Sequence, residues 1–372
     1  MVDKKLTVCF LLPSLSNVSP VNAAISLALG LKDKFNITLL FYDTIQNSDW
    51  EMHLESEGVS VSSLGYNGFK DFYKARRALK RIARDEDFNV VLSMLFRCDL
   101  LLSATPMKAN KISSLRNMFR DEYRISYGSA IGNLFYKTHL HFISKLDVVV
   151  CMSDDMYDFF KPVLSDTRVD VKKIFNFLDE DRVENQLSTA KKKTPLVDRP
   201  YPTVVSVSSL ILRKRIDLIL EACNELYDEG ECFYLDIVGD GPELDRLLLL
   251  AKTSCHGERF IRFLGHEKNP IKYLDLAHVF VMASDSEGVS RSLMEALYLN
   301  KICVVSNIPG NREFSKKSDG VFLFDSKESF KKSLLLSISS TSSSCLPIEY
   351  TRKNALHEYS SLFMTVCGSD IS

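Results

Sequence analysis

Two carboxylates, Glu287 and Glu295, lie in the stretch of the sequence whose residue types best fit the chemistry of a binding site. An apolar run ends there at polar residues, and Gly288 precedes a segment with helical spacing, so the backbone can approach a ligand closely. Unpaired amides at the start of such a helix, near 288–292, attract a diphosphate. Carboxylates beside these amides suit sugar hydroxyls, from which they accept hydrogen bonds. The structural alternative is that Ser292 and Glu295 form a capping box and Glu287 is only solvated.

The segment 239–243 is a second candidate, in which Gly239, Gly241 and Pro242 follow an apolar run. Two glycines allow a tight turn, and a proline at the first helical position leaves the amides of the helix start facing a ligand. A plain strand-to-helix turn explains the segment as well. It lacks the third glycine of a dinucleotide fingerprint, and no full G-x-G-x-x-G follows any predicted strand. A nicotinamide-dependent oxidoreductase is therefore disfavoured.

Short apolar runs alternate with amphipathic segments around these motifs, which predicts an α/β protein with parallel sheets. In the first half, strands are predicted at 6–12, 36–42, 59–64, 89–94, 111–116 and 146–152. In the second half, they are predicted at 203–207, 233–238, 261–264, 279–283 and 302–306. The lysines of 191–193 and the prolines that follow break the periodicity, which is typical of an interdomain linker. The sequence therefore predicts two domains with the same α/β architecture.

The composition excludes several other classes of protein. The 372 residues carry 47 basic and 48 acidic side chains, so no global charge draws the chain onto nucleic acid. Nine scattered cysteines without a CxxC pair indicate reduced thiols in the cytoplasm, and no metal site is predicted. The apolar run at 6–12 is too short for a secretory signal, and no run reaches the roughly 20 residues of a membrane span.

The region around the two carboxylates resembles the retaining glycosyltransferase family 4, whose members have the GT-B fold. Glu287 and Glu295 match its E-x7-E element. Its other elements are matched in order at 235–243, 263–265, 303–307 and 309–313, and further elements at 149–153 and 176–179. Before Val148 the resemblance is weak. The resemblance implies two Rossmann-like domains facing each other across a cleft. We expect an acceptor-binding domain at 1–190, a nucleotide-sugar-binding domain at 191–345, and a last helix within 346–372 that crosses back to the first domain.

The resemblance also implies roles for single residues. Glu287 would hold the hydroxyls of the transferred sugar and Lys214 the diphosphate, so these two are the expected catalytic residues. The donor-binding residues that it implies are Glu295, for the ribose, together with Gly288, Val289, Ser290, Arg291, Ser209, Arg213, Gly239 and Gly241. The family places an arginine on the diphosphate where this chain has Ser209, although the leaving group needs cationic stabilisation. Either Arg213 or Arg215 compensates, or both are solvated at a helix start.

The first half is expected to bind the acceptor. Segment 14–21 contains no glycine, although the family has a glycine-rich loop there. Arg97, Arg116 and Asn117 lie at or after predicted strand ends, where open α/β sheets bind ligands, and could meet an anionic acceptor such as a lipid diphosphate. The same holds for Arg120 and Arg124. The alternative for each of them is an ordinary surface residue that binds no ligand.

His139 falls on a predicted helix. It either contacts the acceptor or, by default, packs in the core. The segment 69–84 predicts another helix, with seven basic residues interleaved with aromatic and aliphatic ones. Such a helix suits the anionic inner face of a membrane, which would make the protein peripheral, but a solvated helix lying over the sheet explains the pattern equally well.

We therefore expect transfer of a hexosyl or N-acetylhexosaminyl unit from a nucleoside diphosphate sugar to a hydroxyl of a glycan or polyprenyl-linked glycan. The expected nucleotide is UDP, with no metal or other cofactor, and the pathway is surface polysaccharide biosynthesis. The family's mechanism implies same-face attack with retention and no protein nucleophile. One alternative is a non-catalytic glycosyltransferase-like subunit, for which Ser209 and the missing glycines argue. Another is an epimerase or phosphorylase, although no lysine site for pyridoxal phosphate is evident.

Overall fold

A computed structural model describes residues 5–15, 19–45, 48–68, 70–191, 199–253, 257–340 and 342–368. The chain divides into two compact units. We call residues 1–177 with 352–372 unit 1, and residues 178–351 unit 2. Each unit contains one parallel sheet, as the alternation of apolar and amphipathic segments predicts.

Unit 1 is built around a seven-stranded sheet. Its strands are β1 (Thr7–Leu12), β2 (Asn36–Phe41), β3 (Ser60–Ser63), β4 (Val90–Met94), β5 (Asn110–Ser114), β6 (Val148–Cys151) and β7 (Asp170–Lys173). Its first six helices are α1 (Ser19–Leu31), α2 (Ser48–Ser56), α3 (Phe72–Asp85), α4 (Phe96–Ala104), α5 (Phe119–Ile143) and α6 (Asp154–Val163). The strand order is β3-β2-β1-β4-β5-β6-β7. The central strands β1 and β4 are almost wholly buried, which is why they are continuous apolar runs.

Unit 2 repeats this architecture with six strands. They are β8 (Thr203–Val207), β9 (Tyr234–Val238), β10 (Ile261–Phe263), β11 (Val279–Met282), β12 (Ile302–Ser306) and β13 (Val321–Phe324). The helices are α7 (Glu180–Lys191), α8 (Ile216–Asp228), α9 (Leu244–Ala251), α10 (Gly257–Phe260), α11 (Ile271–Leu276), α12 (Arg291–Tyr298), α13 (Pro309–Ser315) and α14 (Lys327–Ile338). The strand order is β10-β9-β8-β11-β12-β13.

The units divide after Phe177 and after Thr351, not near residues 190 and 345 as expected. The first difference arises because α7 packs within unit 2. There the side-chain amide of Asn269 donates to the carbonyl of Gln186 on α7 at 2.8 Å. Residues 192–198, which hold most of the expected linker, lie outside the described residues.

The last helix of the described chain, α15 (Arg352–Val366), belongs to unit 1. Phe363 is fully buried and meets the rings of Phe10 and Phe35 edge to face, at centroid distances of 6.3 and 5.7 Å. The guanidinium of Arg352 donates to the carbonyl of Ser26 at 3.0 Å. The helix therefore completes the core of unit 1 from the far end of the sequence.

Candidate functional site

The expected donor residues of unit 2 lie on loops at the carboxyl edge of its sheet. Neighbouring strands β8 and β11 carry two of these loops, which we call the β8 loop (208–215) and the β11 loop (283–290). The chain leaves β8 toward β9 on one side, while β11 pairs with β8 on the other. This is a topological switch point, where open α/β sheets bind ligands because the two loops separate there.

Gly239 and Gly241 support the β8 loop through backbone contacts. A Cβ on Gly239 would lie 1.7 Å from the carbonyl oxygen of Ser208, and one on Gly241 would lie 2.3 Å from that of Leu210. The amide of Leu210 also donates to the carbonyl of Asp240 at 2.9 Å. Both glycines are therefore required for packing of the loop, whatever contact they make with a ligand. Helix α9 begins at Leu244, so the expected helix start at Pro242 is a turn instead.

Lys214 and Glu287, the two expected catalytic residues, are in direct contact. The Lys214 ammonium donates to Oε1 of Glu287, and Nη1 of Arg213 lies 3.3 Å from the same oxygen. Arg213 also donates to the carbonyl of Ser286, and its own carbonyl accepts from the amide of Asp285 at 2.9 Å. Two cations thus face one carboxylate, which leaves an excess of positive charge between the β8 and β11 loops.

Arg215 and Ser209 occupy different places on the β8 loop. Arg215 has a left-handed backbone with φ of 48° and pairs with Asp217 and Asp285. The Ser209 side chain is exposed. Arg213, by contrast, reaches the β11 loop, where it contacts Glu287 and the carbonyl of Ser286.

The start of α12 presents backbone donors beside these cations. Ser290 is the N-cap residue and makes no side-chain capping bond, and the first helical hydrogen bond runs from the amide of Met294 to the carbonyl of Ser290 at 3.1 Å. The amides of the first turn, from Arg291 on, therefore have no partner within the helix. The capping-box alternative for Ser292 and Glu295 is wrong, because the helix begins before Ser292.

Gly310, at the start of α13, fixes the position of the β11 loop. A Cβ at this glycine would lie 1.9 Å from the carbonyl oxygen of Gly288 and 3.1 Å from that of Glu287. Val289 follows on the same loop and is partly exposed. The G-x-x-E element of the sequence therefore places its glycine directly beneath the loop that carries Glu287.

Glu295 is buried, with 2% of its surface exposed, and it is already paired. Its Oε1 accepts from Nη2 of Arg182 on α7 at 2.8 Å. Burial raises the pKa of Glu295, although the charges of Arg182 and Arg291 oppose the shift. Burial likewise lowers the pKa of Arg291, whose neighbours include Arg182, Glu295 and Asp179. The sequence analysis identified Glu295 but not Arg182. The signal that could have revealed Arg182 is Asp179, a residue typical of a helix start, whose carboxylate accepts from the Arg182 amide at 3.2 Å.

Three buried polar atoms belong to the two loops and to the start of α13. Within the described part of the chain, the Ser208 hydroxyl, the Ser284 hydroxyl and the Oδ1 atom of Asn311 have no hydrogen-bond partner. Asn311 is fully buried, and its amide nitrogen donates to the carbonyl of Ser306 at 2.8 Å. Unpaired buried polar atoms are uncommon in native proteins, which marks this edge as a place where a ligand or water completes the hydrogen bonding.

The four expected acceptor-binding residues meet at one cavity in unit 1. It has a volume of about 340 Å³ and lies at the carboxyl ends of β4 and β5. Arg97, Arg116, Asn117 and His139 all line it. Its size falls within the range of small-molecule sites. A larger hollow of about 550 Å³ lies beside the edge strand β7 and contains none of the expected residues. We therefore take the smaller cavity as the candidate site.

The two arginines of this cavity are held by neighbouring groups. Arg97 donates to Asp43 at 2.8 Å and lies over the ring of Tyr42, 4.4 Å from its centroid. Arg116 donates to Oδ1 of Asn176 at 2.8 Å. Arg120 and Arg124 do not line the cavity. The pair at the cavity is thus oriented in advance, which reduces the entropic cost of binding an anion.

His139 lines the cavity but has no free nitrogen. Its Nε2 lies 2.9 Å from Oδ2 of Asp99, and its Nδ1 lies 3.0 Å from the hydroxyl of Tyr123. The side chain is buried. The expectation that His139 itself holds the acceptor is therefore incorrect for the ring nitrogens, because both are engaged within unit 1.

Several known proteins are similar to this chain. Residues 188–354 match the family model described as "Glycosyl transferases group 1". The sequence is 27% identical over 365 residues to the O-antigen biosynthesis glycosyltransferase WclY of Escherichia coli, covering 95% of this chain and 90% of the relative. It is 25% identical over 266 residues to the lipopolysaccharide core biosynthesis glycosyltransferase LpsD of Rhizobium meliloti, covering 70% and 67%. The crystal structure of HepE from Anabaena in complex with UDP has a TM-score of 0.70 at 14% identity, covering 98% of both chains.

The chain is a glycosyltransferase. Its fold is GT-B, as the sequence resemblance implied. The family match, residues 188–354, covers the expected donor residues. It includes only the end of α7 and does not reach Arg182.

The basic helix of this glycosyltransferase is α3, which begins at Phe72 rather than at 69. Ala75, Leu79 and Ala83 form its buried face, whereas most of its basic side chains are exposed. Phe69 lies outside the described residues. Both explanations of the helix, membrane contact and solvation, are compatible with this arrangement.

Among the described residues, none of the helices has the length and apolar character needed to cross a membrane. No group of three or more histidine, cysteine, aspartate or glutamate side chains in that part of the chain is arranged to hold a metal ion.

Proposed function

We propose that this chain is a retaining glycosyltransferase of family 4, which moves a hexosyl or N-acetylhexosaminyl unit from a UDP-linked donor to a glycan or lipid-linked glycan hydroxyl. The observation that carries the proposal is the meeting of Lys214, Arg213 and Glu287 beside the start of α12. Cations and helix amides bind a diphosphate, and a carboxylate binds sugar hydroxyls. Both kinds of group are concentrated on two neighbouring loops.

The cations have a defined task in this reaction. Negative charge grows on the diphosphate as the glycosidic bond breaks, and Lys214 and Arg213 stabilise it. In the free protein both cations pair with Glu287. When the diphosphate takes over these cations, the carboxylate oxygens of Glu287 become available to the hydroxyls of the transferred sugar. Donor binding and sugar recognition are coupled through this one carboxylate.

Glu295 is proposed to bind the ribose. Its carboxylate is occupied by Arg182, so the ribose hydroxyls must share the carboxylate or replace the arginine. Arg182 is 38% exposed on its side chain and can move without a large loss of packing. An arginine released from Glu295 would lie close to the nucleotide and could contact its phosphates.

Retention follows from same-face attack. The departing phosphate oxygen accepts the proton of the acceptor hydroxyl, so the proposal assigns no protein nucleophile and no catalytic base. Glu287 orients the sugar and does not attack it, in contrast to the paired carboxylates of glycoside hydrolases. Proton NMR of the sugar released by slow donor hydrolysis tests this point: an α-linked donor should first give the α-anomer, and initial release of the β-anomer would contradict retention.

The acceptor is proposed to bind in the unit 1 cavity, where Arg97 and Arg116 face an anionic group such as a diphosphate. Relatives named for O-antigen and lipopolysaccharide core biosynthesis support an acceptor that belongs to a growing surface polysaccharide. HepE, which binds UDP, supports UDP as the nucleotide. A cytoplasmic location fits this role.

Membrane contact through α3 is proposed as an accessory feature. Lys74, Arg77, Lys80, Arg81 and Arg84 are exposed on this helix. Each basic side chain near an anionic surface contributes about 1 kcal/mol of attraction. Sedimentation with phosphatidylglycerol vesicles should exceed sedimentation with phosphatidylcholine vesicles, and equal sedimentation would refute the contact.

A non-catalytic glycosyltransferase-like subunit is the second candidate, because Ser209 replaces the family's arginine and its side chain is exposed. The two candidates differ in turnover. An inactive subunit would release no UDP from any sugar nucleotide. The contact of Arg213 with the β11 loop favours an active enzyme, because it supports an intact diphosphate site.

Calorimetric titration of the full chain tests the donor site. The probes are UDP, GDP, UDP-glucose, UDP-galactose and UDP-N-acetylglucosamine. We expect selective binding of the uridine nucleotides, and a loss of about 10- to 100-fold in Lys214→Ala, since a charge-assisted hydrogen bond contributes about 1.5 to 3 kcal/mol. Lys332→Ala is the matched control, an exposed lysine on α14 of the same unit. Absence of binding to a folded wild-type protein, or equal affinity in Lys214→Ala, would reject the proposed site.

A further inference from the structure

The cavity of unit 1 contains a hydrogen-bonded array that the proposed donor chemistry does not use. Asp99 is 1% exposed and makes three hydrogen bonds. Its Oδ1 accepts from the hydroxyls of Ser93 at 2.5 Å and Ser113 at 2.7 Å, and its Oδ2 lies 2.9 Å from Nε2 of His139. Both serines thus use one carboxyl oxygen, and the other oxygen faces the ring of His139.

One direction of donation gives the hydroxyl of Tyr123 a defined role. With a proton on Nε2 of His139 and none on Nδ1, the ring donates to Asp99 and accepts the hydroxyl proton of Tyr123, whose oxygen lies 3.0 Å from Nδ1. In this arrangement the phenol oxygen of Tyr123 has only lone pairs left, so toward the cavity it acts as an acceptor.

The ring of His139 is also fixed by aromatic packing. Phe119 lies 4.2 Å from its ring centroid, and Phe96 meets it edge to face at 5.0 Å. Both phenylalanines line the same cavity, as do Asp99 and Tyr123. Burial raises the pKa of Tyr123, so its hydroxyl keeps its proton.

A fold-back of α5 brings Tyr123 to His139. Sixteen residues of a straight helix would separate the two by about 24 Å along the axis. Gly128 breaks the helix with φ of 77°, and the two segments then run against each other. Gly132 permits the close approach, because a Cβ there would lie 2.5 Å from the carbonyl oxygen of Tyr123. Arg124 donates to Asn133 across the same contact at 2.9 Å.

We propose that Tyr123 binds a hydroxyl of the acceptor's sugar, with its phenol oxygen as the hydrogen-bond acceptor, and that Asp99 and His139 are positioning residues that act through it. The assignment rests on the proposed function, since it names the group that recognises the acceptor. Arg97 and Arg116, which line the same cavity, donate hydrogen bonds to oxygen atoms or anionic groups of the acceptor substrate. The site thus takes a hydroxyl-bearing sugar and discriminates against an analogue in which that hydroxyl is removed.

The state of the array can be measured on the full chain without a ligand. The protein contains seven histidines, so selective ¹⁵N-histidine labelling gives a spectrum simple enough to assign by the loss of one signal in His139→Gln. We expect a proton on Nε2 of His139 and none on Nδ1, and we expect Tyr123→Phe to change the signal of Nδ1. A proton on Nδ1 would overturn the proposal.

Ligand recognition is tested with methyl glycosides of glucose, galactose, mannose and N-acetylglucosamine and with their monodeoxy analogues. We expect one of the glycosides to shift the His139 signals in a saturable way. Its affinity should fall about tenfold in Tyr123→Phe, the effect of one hydrogen bond, and one monodeoxy analogue should show a similar loss in the wild type. Tyr127→Phe is the matched control, because Tyr127 lies on the same helix segment, is 53% exposed and does not line the cavity.

A positioning role predicts a particular pattern among the variants. Asp99→Asn should weaken glycoside binding, but the double variant with Tyr123→Phe should be no weaker than Tyr123→Phe alone, because both changes act through one hydroxyl. His139→Gln retains an amide donor and a carbonyl acceptor and should bind better than His139→Leu. Additive losses, or equal binding in the glutamine and leucine variants, would overturn the positioning role.

UDP calorimetry on the same samples separates this proposal from the proposed function. All folded variants should keep wild-type affinity for UDP, because the donor residues lie in unit 2. UDP binding without response to any glycoside, or glycoside binding that is unchanged in Tyr123→Phe, refutes the role of Tyr123 and leaves the donor site standing. Absence of UDP binding in the wild type refutes the proposed function itself.

Discussion

Replacement of Gly310 by alanine should inactivate the enzyme while leaving it folded. The added Cβ would lie 1.9 Å from the carbonyl oxygen of Gly288, whereas such contacts essentially never fall under 3.0 Å. The β11 loop or the start of α13 must therefore shift by about 1.1 Å to restore the 3.0 Å limit, measured from the 1.9 Å contact. The neighbouring contact at the carbonyl of Glu287, at 3.1 Å, leaves little room in that direction.

A shift of this size is expected to cost much more activity than stability. Overpacking costs about 1 to 3 kcal/mol in a core, and less where a partly exposed loop can yield. A misplacement of about 1 Å in a catalytic group reduces the rate by about 100-fold. The Gly310→Ala variant moves Glu287 away from the transferred sugar, so kcat should fall about 100-fold.

UDP release from the donor that the wild type turns over is the assay, together with urea unfolding. Lys316→Ala, an exposed position just after α13, is the control and should behave as the wild type in both. A folded Gly310→Ala variant whose kcat/KM stays within about twofold of the wild type would contradict this reasoning. The position of the β11 loop would then have no effect on the reaction rate.

Three further perturbations have defined outcomes. Burial raises the pKa of Glu295, so the folded state binds this proton more tightly than the unfolded state, and wild-type stability falls as pH rises from about 4.3 through the raised value. Glu295→Gln lacks this titration, so in urea unfolding its stability relative to the wild type should rise as the pH increases from about 4 through the raised pKa of Glu295; a constant difference would contradict the shift. Gly132→Ala places a Cβ 2.5 Å from the carbonyl oxygen of Tyr123 and should reproduce the His139 spectrum of Tyr123→Phe; an unchanged spectrum would refute the fold-back as the cause. Phe363→Ala should lower the free energy of unfolding by about 3 to 5 kcal/mol, because a fully buried ring is lost; a loss under about 1 kcal/mol would mean that α15 does not complete the core.

The sheets could be predicted from the sequence because buried parallel strands are short apolar runs. Strands β8 and β12 have the predicted bounds, 203–207 and 302–306, and most others differ by one or two residues. The edge strands β7 and β13 were not predicted. The residues of β7, Asp170–Lys173, are mostly charged and exposed, so an apolar pattern is missing. Strand β13, Val321–Phe324, is apolar but only four residues long.

The unit boundary could not be read from the linker-like composition around 191–193. Helix α7 looks polar in the sequence, and its place in unit 2 depends on contacts with distant residues. The pair of Arg182 and Glu295 joins positions 113 residues apart, and no local spacing records it. The same holds for α5, whose fold-back depends on a close backbone contact at Gly132 that the helical pattern does not reveal.

The candidate site was predicted best where the sequence matches the ordered motifs of the resembled family. Glu287 and Lys214 match such motifs, and the structure places them in contact. Of the array in unit 1, only His139 was predicted. Asp99 and Tyr123 lie on other segments of the chain, and only tertiary contacts bring them to His139. Gly239 and Gly241 were attributed to the donor, whereas their contacts with Ser208 and Leu210 require glycine for packing.

Release of UDP from sugar nucleotides tests the central claim most directly. The full chain is incubated with UDP-glucose, UDP-galactose or UDP-N-acetylglucosamine, and UDP is measured for the wild type and for Glu287→Gln, with Lys332→Ala as control. We predict that the wild type releases UDP from one of these donors and that Glu287→Gln still binds UDP but loses at least about tenfold in release, because an amide accepts sugar hydroxyls less strongly than a carboxylate. Absence of release from every donor, or full release by a folded Glu287→Gln variant, would contradict the account.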